Sequence, residues 1–260
     1  MDLNLKDKVF IVTGGAKGIG ASIVSLLAAE GALPIIVGRN EADNAALTSH
    51  LTEQGQRAAF VTAELNEPAR CAGVIAETLR RFGRIDGLVN NAGQNDGVGL
   101  EDGSYEAFMA SLHKSLIHYY LLAQHALPAL KLSKGSILNI SSKTAETGQG
   151  GTSGYAAANG GRNALTREWA VELLPYGIRV NAIVVSECWT PQYETWVHSF
   201  ADGAEKLEEI TRRIPLGQRM TSSEEIANAA VFLLSERSSH TTGQLLHVDG
   251  GYVHLDRAIR

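Results

Sequence analysis

Cysteine is scarce in this chain. Only Cys71 and Cys188 occur, far apart, which excludes a disulfide-stapled scaffold and reads as two free thiols in a reducing compartment. Blocks of positive charge are missing too. The formal net charge is −5 and the densest basic cluster is the pair Arg212–Arg213, so nucleic acid is not expected as a partner. No apolar run approaches the roughly 18 residues of a membrane span. Met1–Lys8 alternate polar and apolar residues and lack the apolar stretch of a signal peptide, so the expectation is a soluble cytoplasmic protein with no membrane partner. Metal-ligand spacing is absent: His113, His118 and His125 share one helical segment, His247 stands apart, and no metal is expected.

What is there is a regular alternation. The 260 residues are 44% hydrophobic, enough for one large core. Short apolar runs at Val9–Thr13, Pro34–Gly38, Ala58–Thr62, Gly87–Asn90, Ser136–Ile140, Arg179–Val185 and Leu245–Val248 read as buried strands. Segments of helical period fall between them, at Ser22–Glu30, Glu41–Gln54, Pro68–Phe82, Tyr105–Leu130, Gly154–Leu174 and Glu224–Leu234. Such alternation predicts right-handed crossovers and an α/β fold: a single Rossmann-type doubly wound parallel sheet of about seven strands over residues 1–260. The one long insertion, 191–215, follows the sixth strand. It reads as a substrate lid, or as a plain surface helix pair.

Thr13-Gly14-Gly15-Ala16-Lys17-Gly18-Ile19-Gly20 follows a strand and opens a helix. Glycines allow the tight turn and a close backbone approach to a pyrophosphate, and the helix N-terminus supplies amide donors. The spacing Thr-Gly-x-x-x-Gly-x-Gly resembles the short-chain dehydrogenase/reductase family. So do Asn90-Asn91-Ala92-Gly93 after the fourth strand, Ser142 thirteen residues before Tyr155, and the closing Leu245–Gly251 segment. More narrowly, Asn139–Ala145, Thr147–Gly150 and the tail His254–Ala258 are similar to bacterial sugar dehydrogenases of the L-fucose type.

The resemblance implies a nicotinamide cofactor held by Gly14, Lys17, Gly18, Ile19, Gly20, Arg39, Glu64, Leu65, Asn91, Ala92, Gly93, Tyr155, Asn159 and Thr190. NAD-selective sites carry an acidic residue at the end of the second strand. Here the strand ends Val37-Gly38-Arg39-Asn40, and Arg39 with Lys17 suits a 2′-phosphate, so NADP is expected over NAD.

In that family a Tyr transfers the proton, and a Lys four residues later supplies a cation that favours its ionised form. A Ser bonds the substrate oxygen, and an Asn on the long preceding helix completes a proton path. The Ser and Tyr are here Ser142 and Tyr155. The Lys position is Asn159, and the Asn position is Ser115. Asn159 can bond ribose but carries no charge, and lost preorganisation of this kind costs about 100–1000-fold in rate. Asn159→Lys is therefore expected to raise turnover. Lys143 and Lys114, next to Ser142 and Ser115, are possible substitutes, though neighbours on a strand point to opposite faces, which argues against Lys143.

Ser142 has no nucleophile elbow and no partnered His, which excludes a hydrolase. Glu187 and Gln149 are candidate partners for sugar hydroxyls, and Trp189, Tyr193 and Trp196 candidate pocket walls. The reading is a hydride-transferring oxidoreductase acting on a secondary alcohol or carbonyl, a sugar or polyol for choice. Two alternatives stand beside it: a cofactor-binding member with weak or lost redox activity, and non-redox chemistry on the same scaffold, against which the intact glycine loop counts. The resemblance also implies a homotetramer, joined through the two long helices and the last strand.

Overall fold

The computed structural model describes residues 2–255. Strands β1 (Val9–Thr13), β2 (Leu33–Gly38), β3 (Ala59–Thr62), β4 (Gly87–Asn90), β5 (Ser136–Ser142), β6 (Arg179–Val185) and β7 (Leu245–Val248) form one sheet in the order 3-2-1-4-5-6-7. Every pairing is parallel. The order reverses at β1, so a crevice opens between the carboxyl ends of β1 and β4.

Both faces of the sheet are covered, which is why the strands are apolar throughout. Val9 and Ile11 point to one side, into a core with Leu88, Ile137 and Val180. Phe10 and Val12 point to the other, into a core with Val89, Leu138 and Ile183. Helices α1 (Gly18–Ala29), α2 (Glu41–Glu53) and α9 (Ser223–Leu234) supply residues to the second core. Helices α3 (Pro68–Phe82), α5 (His118–Ser133) and α6 (Ser153–Glu172) supply the first.

Two departures from the sequence expectation matter for the site. Helix α1 begins at Gly18 rather than near Ser22, so the last glycines of the loop already form its first turn. The long segment expected at Tyr105–Leu130 is not one regular helix. Helix α4 (Tyr105–Leu112) passes into a π-helical turn at His113–Ile117 before α5 resumes and runs to Ser133. One extra residue in that turn re-aims the groups around Ser115.

The insertion at 191–215 holds two helices, α7 (Pro191–Val197) and α8 (Gly203–Arg212), packed on each other. Its base is closed by a parallel bridge between Cys188 and Thr221, with Trp189 N–H donating to the Thr221 carbonyl at 2.9 Å and Thr221 N–H to the Glu187 carbonyl at 2.9 Å.

Buried polar groups tie the central strands to α6. Asn90 Nδ2 donates to Asn139 Oδ1 at 3.0 Å, Asn139 Nδ2 to Thr166 Oγ1 at 2.9 Å, and Thr166 Oγ1 to the Arg162 carbonyl at 2.8 Å. Removing the middle member strands a buried donor, which costs about 1–3 kcal/mol. Asn139→Ala is therefore expected to lower the urea midpoint by that equivalent, with the denaturant slope unchanged.

Candidate active site

The carboxyl end of β1 begins the site. Gly14 and Gly18 take left-handed backbone angles, φ 60 and 54, that other residues rarely adopt. A Cβ on Gly20 would strike the Gly14 carbonyl oxygen, so the loop closes only around glycine. Lys17 flanks the start of α1 without a side-chain cap, and the first turn holds no acidic residue. Uncapped amides at a positive dipole end fit the diphosphate of a dinucleotide.

Asn91 locks this loop to β4. Its Nδ2 donates to the Thr13 carbonyl at 2.8 Å, and the amides of Asn91 and Ala92 donate to Thr13 Oγ1 at 2.8 and 3.0 Å. Thr190 faces Gly18 across the crevice, and its Oγ1 caps α7 by accepting from the Tyr193 amide. Leu65 is buried and Ile19 packs against the second core.

The ribose-phosphate end is more balanced than the sequence suggests. Lys17 Nζ lies 2.7 Å from Asp43 on α2, and Arg39 lies 4.0 Å from Glu64. Each expected cation faces an acid. Asp43 sits four residues beyond Arg39, in the first turn of α2, and strand-end inspection alone overlooks it.

Ser142 closes β5, half-buried, with its Oγ accepting from the Thr144 amide at 3.3 Å. Tyr155 lies in the first turn of α6, also half-buried. The two substituted positions behave differently from the expectation. Asn159 is fully buried, and its amide is spent inside the protein: Nδ2 donates to the Tyr155 carbonyl at 2.9 Å, and Oδ1 accepts from Arg162 Nη1 at 2.8 Å. Ser115 is fully buried as well, its hydroxyl engaged with the backbone of Gln94.

Arg162 is the residue that sequence reasoning missed. It is buried, and its Nε and Nη2 both donate to the Ser115 carbonyl in the π-helical turn. Its Nη1 also reaches the Ile140 carbonyl at 3.1 Å. The guanidinium lies 4.3 Å from the Tyr119 ring centre and 5.9 Å from that of Tyr155.

The candidate lysines are both taken up by acids. Lys114 pairs with Asp96 at 3.0 Å. Lys143 is not on the strand, because β5 ends at Ser142 and Lys143 opens a 3-10 turn. The strand argument against it therefore does not apply. Its Nζ pairs with Glu187 and lies 4.3 Å from the Tyr252 ring centre. Glu187 Oε2 also accepts from the Tyr193 hydroxyl at 2.7 Å. Burial and this carboxylate push the Tyr193 phenol well above its ordinary range. Tyr193 stacks edge-on with Trp196, which meets Phe200 in turn. Gln149 is exposed on its glycine-rich loop.

Burial pushes the thiols of Cys71 and Cys188 up, to about 11 and about 12, which makes both unreactive. Among the described residues, Glu146, His247 and His254 bring one ligand atom each within 4.8 Å of one another, a trio of the kind that holds a divalent ion. His247 Nε2 is 3.0 Å from Glu146 Oε2. Sequence spacing hid this group because Glu146 and His247 lie 101 positions apart. Residues 256–258 of the tail motif lie outside the described residues.

A parallel sheet with a glycine loop at its reversal, a Ser at the end of β5 and a Tyr in the first turn of α6 defines a dinucleotide-binding oxidoreductase of Rossmann type. Comparison with known proteins narrows the class. Residues 14–253 match a family model described as enoyl-(acyl carrier protein) reductase. L-fucose dehydrogenase of Bos taurus is 38% identical over 245 residues, 94% of this chain and 88% of the relative. Sorbitol-6-phosphate 2-dehydrogenase of Klebsiella pneumoniae is 34% identical over 269 residues, covering 96% and 97%. The crystal structure of Cj0485 dehydrogenase superposes with a TM-score of 0.95 at 45% identity, covering 100% of this chain and 99% of that one. The chain belongs to the short-chain dehydrogenase/reductase family, whose members use a nicotinamide cofactor.

His118 gives a test of the electrostatics beneath the site. Burial, and then the Arg162 charge, lower its pKa from 6.5 to about 4, so the ring is neutral and its Nε2–H donates to the Lys114 carbonyl at 3.0 Å. An unfolded chain takes up a proton here near pH 6.5 that the folded chain refuses until about pH 4. Stability is expected to fall as pH drops through that window. His118→Asn, which cannot titrate, should flatten this part of a urea-midpoint profile.

Proposed function

We propose that this chain oxidises a secondary alcohol of a sugar or polyol, or reduces the matching carbonyl, with NADP preferred over NAD. Two observations support the reading: Ser142 and Tyr155 are both partly accessible, and the N-terminus of α1 behind the glycine loop is uncapped. A nicotinamide cofactor held by the glycine loop would supply the hydride chemistry. Ser142 Oγ holds the substrate oxygen, and the Tyr155 hydroxyl receives or returns the proton at that oxygen. Asn91, Ala92 and Gly93 line the strand end next to the loop, and Thr190 faces it from the far side.

A hydroxyl-rich substrate is favoured by the polar group of Lys143, Glu187 and Tyr193 under the insertion. A charged acceptor already held by two donors is preorganised to take a sugar hydroxyl without a rearrangement of its own. The insertion at 191–215 acts as the cover over that group. The names of the relatives, a fucose and a sorbitol-phosphate dehydrogenase, point the same way. Two buried free thiols accord with a cytoplasmic protein, and among the described residues no helix is long and apolar enough to cross a membrane.

The preference for NADP rests on Arg39. It is three-quarters exposed and only loosely opposed by Glu64, so its planar fork is free to meet a 2′-phosphate. Asp43 and Glu64 limit the preference to about tenfold, the worth of one partly screened ion pair. Titration of both cofactors by protein fluorescence is expected to show tighter NADPH binding in the wild type and equal affinities in Arg39→Ala. Tighter NAD binding, unmoved by the substitution, is the contrary result.

A panel of aldoses and polyols, followed by absorbance of the reduced cofactor, is expected to reveal turnover. Tyr155→Phe should lower it by about 100-fold or more at unchanged cofactor affinity.

Large apolar side chains lie exposed on the faces through which an oligomer would form: Tyr105, Tyr120 and Leu132 on the long helical segment, Val171 on α6 and Leu246 on β7. They support a homo-oligomer, a tetramer in our reading. Sedimentation equilibrium at micromolar concentration should give the mass of four chains rather than one.

A further inference from the structure

A buried positive charge is costly unless something compensates it. Arg162 is 3% exposed, yet every hydrogen bond it makes goes to a neutral oxygen: the Ser115 carbonyl, the Ile140 carbonyl and Asn159 Oδ1. Two aromatic faces, Tyr119 and Tyr155, complete its surroundings. No carboxylate among the described residues pairs with it, so its charge is solvated by dipoles and not cancelled. His118 lies close enough that the Arg162 charge adds to burial, the larger cause, in lowering its pKa. Lys114 and Lys143, by contrast, are each matched by an acid and contribute little net field.

The contacts of Arg162 fall on the positions where this chain departs from its family's pattern. Asn159 stands where the pattern has Lys, and its side-chain oxygen orients the guanidinium. Ser115 stands where the pattern has Asn, and its carbonyl in the π-helical turn takes two of the five N–H groups. Gly93, at the end of the cofactor-side loop, leaves the space: a Cβ there would sit 2.5 Å from Arg162 Nη2. A lysine at 159 would set a second ammonium against this guanidinium in a site with no exposed surface.

We propose that Arg162 is the cation of this site, relocated three residues along α6 from position 159 to the protein interior. Asn159 and Ser115 are then its fittings and not lost catalytic groups. Arg162 touches neither substrate nor cofactor. It is a positioning residue, acting through Asn159 and through a fixed positive charge 5.9 Å from the centre of the Tyr155 ring. The sign expected for Asn159→Lys from sequence alone is thereby reversed.

The inference rests on Tyr155 as the proton-transfer group, and the test separates the two. Four variants are compared: Arg162→Lys, Arg162→Leu, Asn159→Lys, and Asn159→Lys with Arg162→Leu. Arg162→Leu should lose about 100-fold in kcat, the scale of one preorganised electrostatic partner, with KM changed much less. Arg162→Lys should retain part of the activity. Asn159→Lys alone should lower both kcat and the urea midpoint of the cofactor-free protein, through repulsion of two buried cations. In the double variant the lysine has no competitor, so both the midpoint and kcat should recover above those of either single variant. The cofactor-free midpoint reads the charge conflict without any turnover, and it serves even if Arg162→Leu is too unstable to assay. Additive single effects in kcat and in midpoint, or wild-type kcat in Arg162→Leu, overturn the role of Arg162. Activity that survives Tyr155→Phe overturns the reading of Tyr155, and this inference with it.

Discussion

A parallel sheet sealed on both faces leaves only the two ends of its strands for polar work. In this protein the strand flanks are filled by Ile11, Leu88, Ile137 and Val180 on one side and by Phe10, Val12, Leu138 and Ile183 on the other. Nothing charged can sit there without a partner. Chemistry is therefore displaced to the carboxyl ends, where Thr13, Asn90 and Ser142 stand. The register of the strands then sets their relative heights. Asn90 is level with Asn139, and Ser142 with Val185, so Ser142 stands three residues beyond the buried amides.

Those amides do more than satisfy each other. The chain from Asn90 through Asn139 and Thr166 ends on the carbonyl of Arg162, so β4, β5 and α6 are fixed to one another by directional bonds at the level just beneath the site. Apolar packing sets distances between layers but tolerates sliding. Hydrogen bonds of fixed geometry remove that freedom, and a guanidinium carried on the same helix inherits the precision. The π-helical turn contributes from the opposite side by presenting the Ser115 carbonyl.

The fold was legible because burial on both faces writes itself into continuous apolar runs. Four of the strands, those at Val9, Gly87, Arg179 and Leu245, have the bounds that the runs suggest. Helix α1 was placed too late because Gly18 and Gly20 look like loop, and only the closed turn makes them helical. The π turn was invisible, since one extra residue barely disturbs an apolar periodicity spread over two dozen positions. In the site, Ser142 and Tyr155 were readable from their spacing. Arg162 was not. In Gly160-Gly161-Arg162-Asn163 it looks like a solvated helix residue, and an arginine seldom enters a core without an acid. The balance of Lys17 with Asp43 and of Lys143 with Glu187 was equally hidden, because each pair joins separate elements.

The bridge between Cys188 and Thr221 divides the molecule's constraints in a further way. Everything between those residues leaves the sheet and returns at one doorway. Chain inserted behind such a doorway carries a small entropic penalty, about 0.6 kcal/mol for each doubling of length. The segment between them can thus be rewritten, lengthened or exchanged while the glycine loop, the buried amides and the guanidinium keep their places. Descendants of this chain have a cheap route to a new insertion and an expensive one to a new glycine loop.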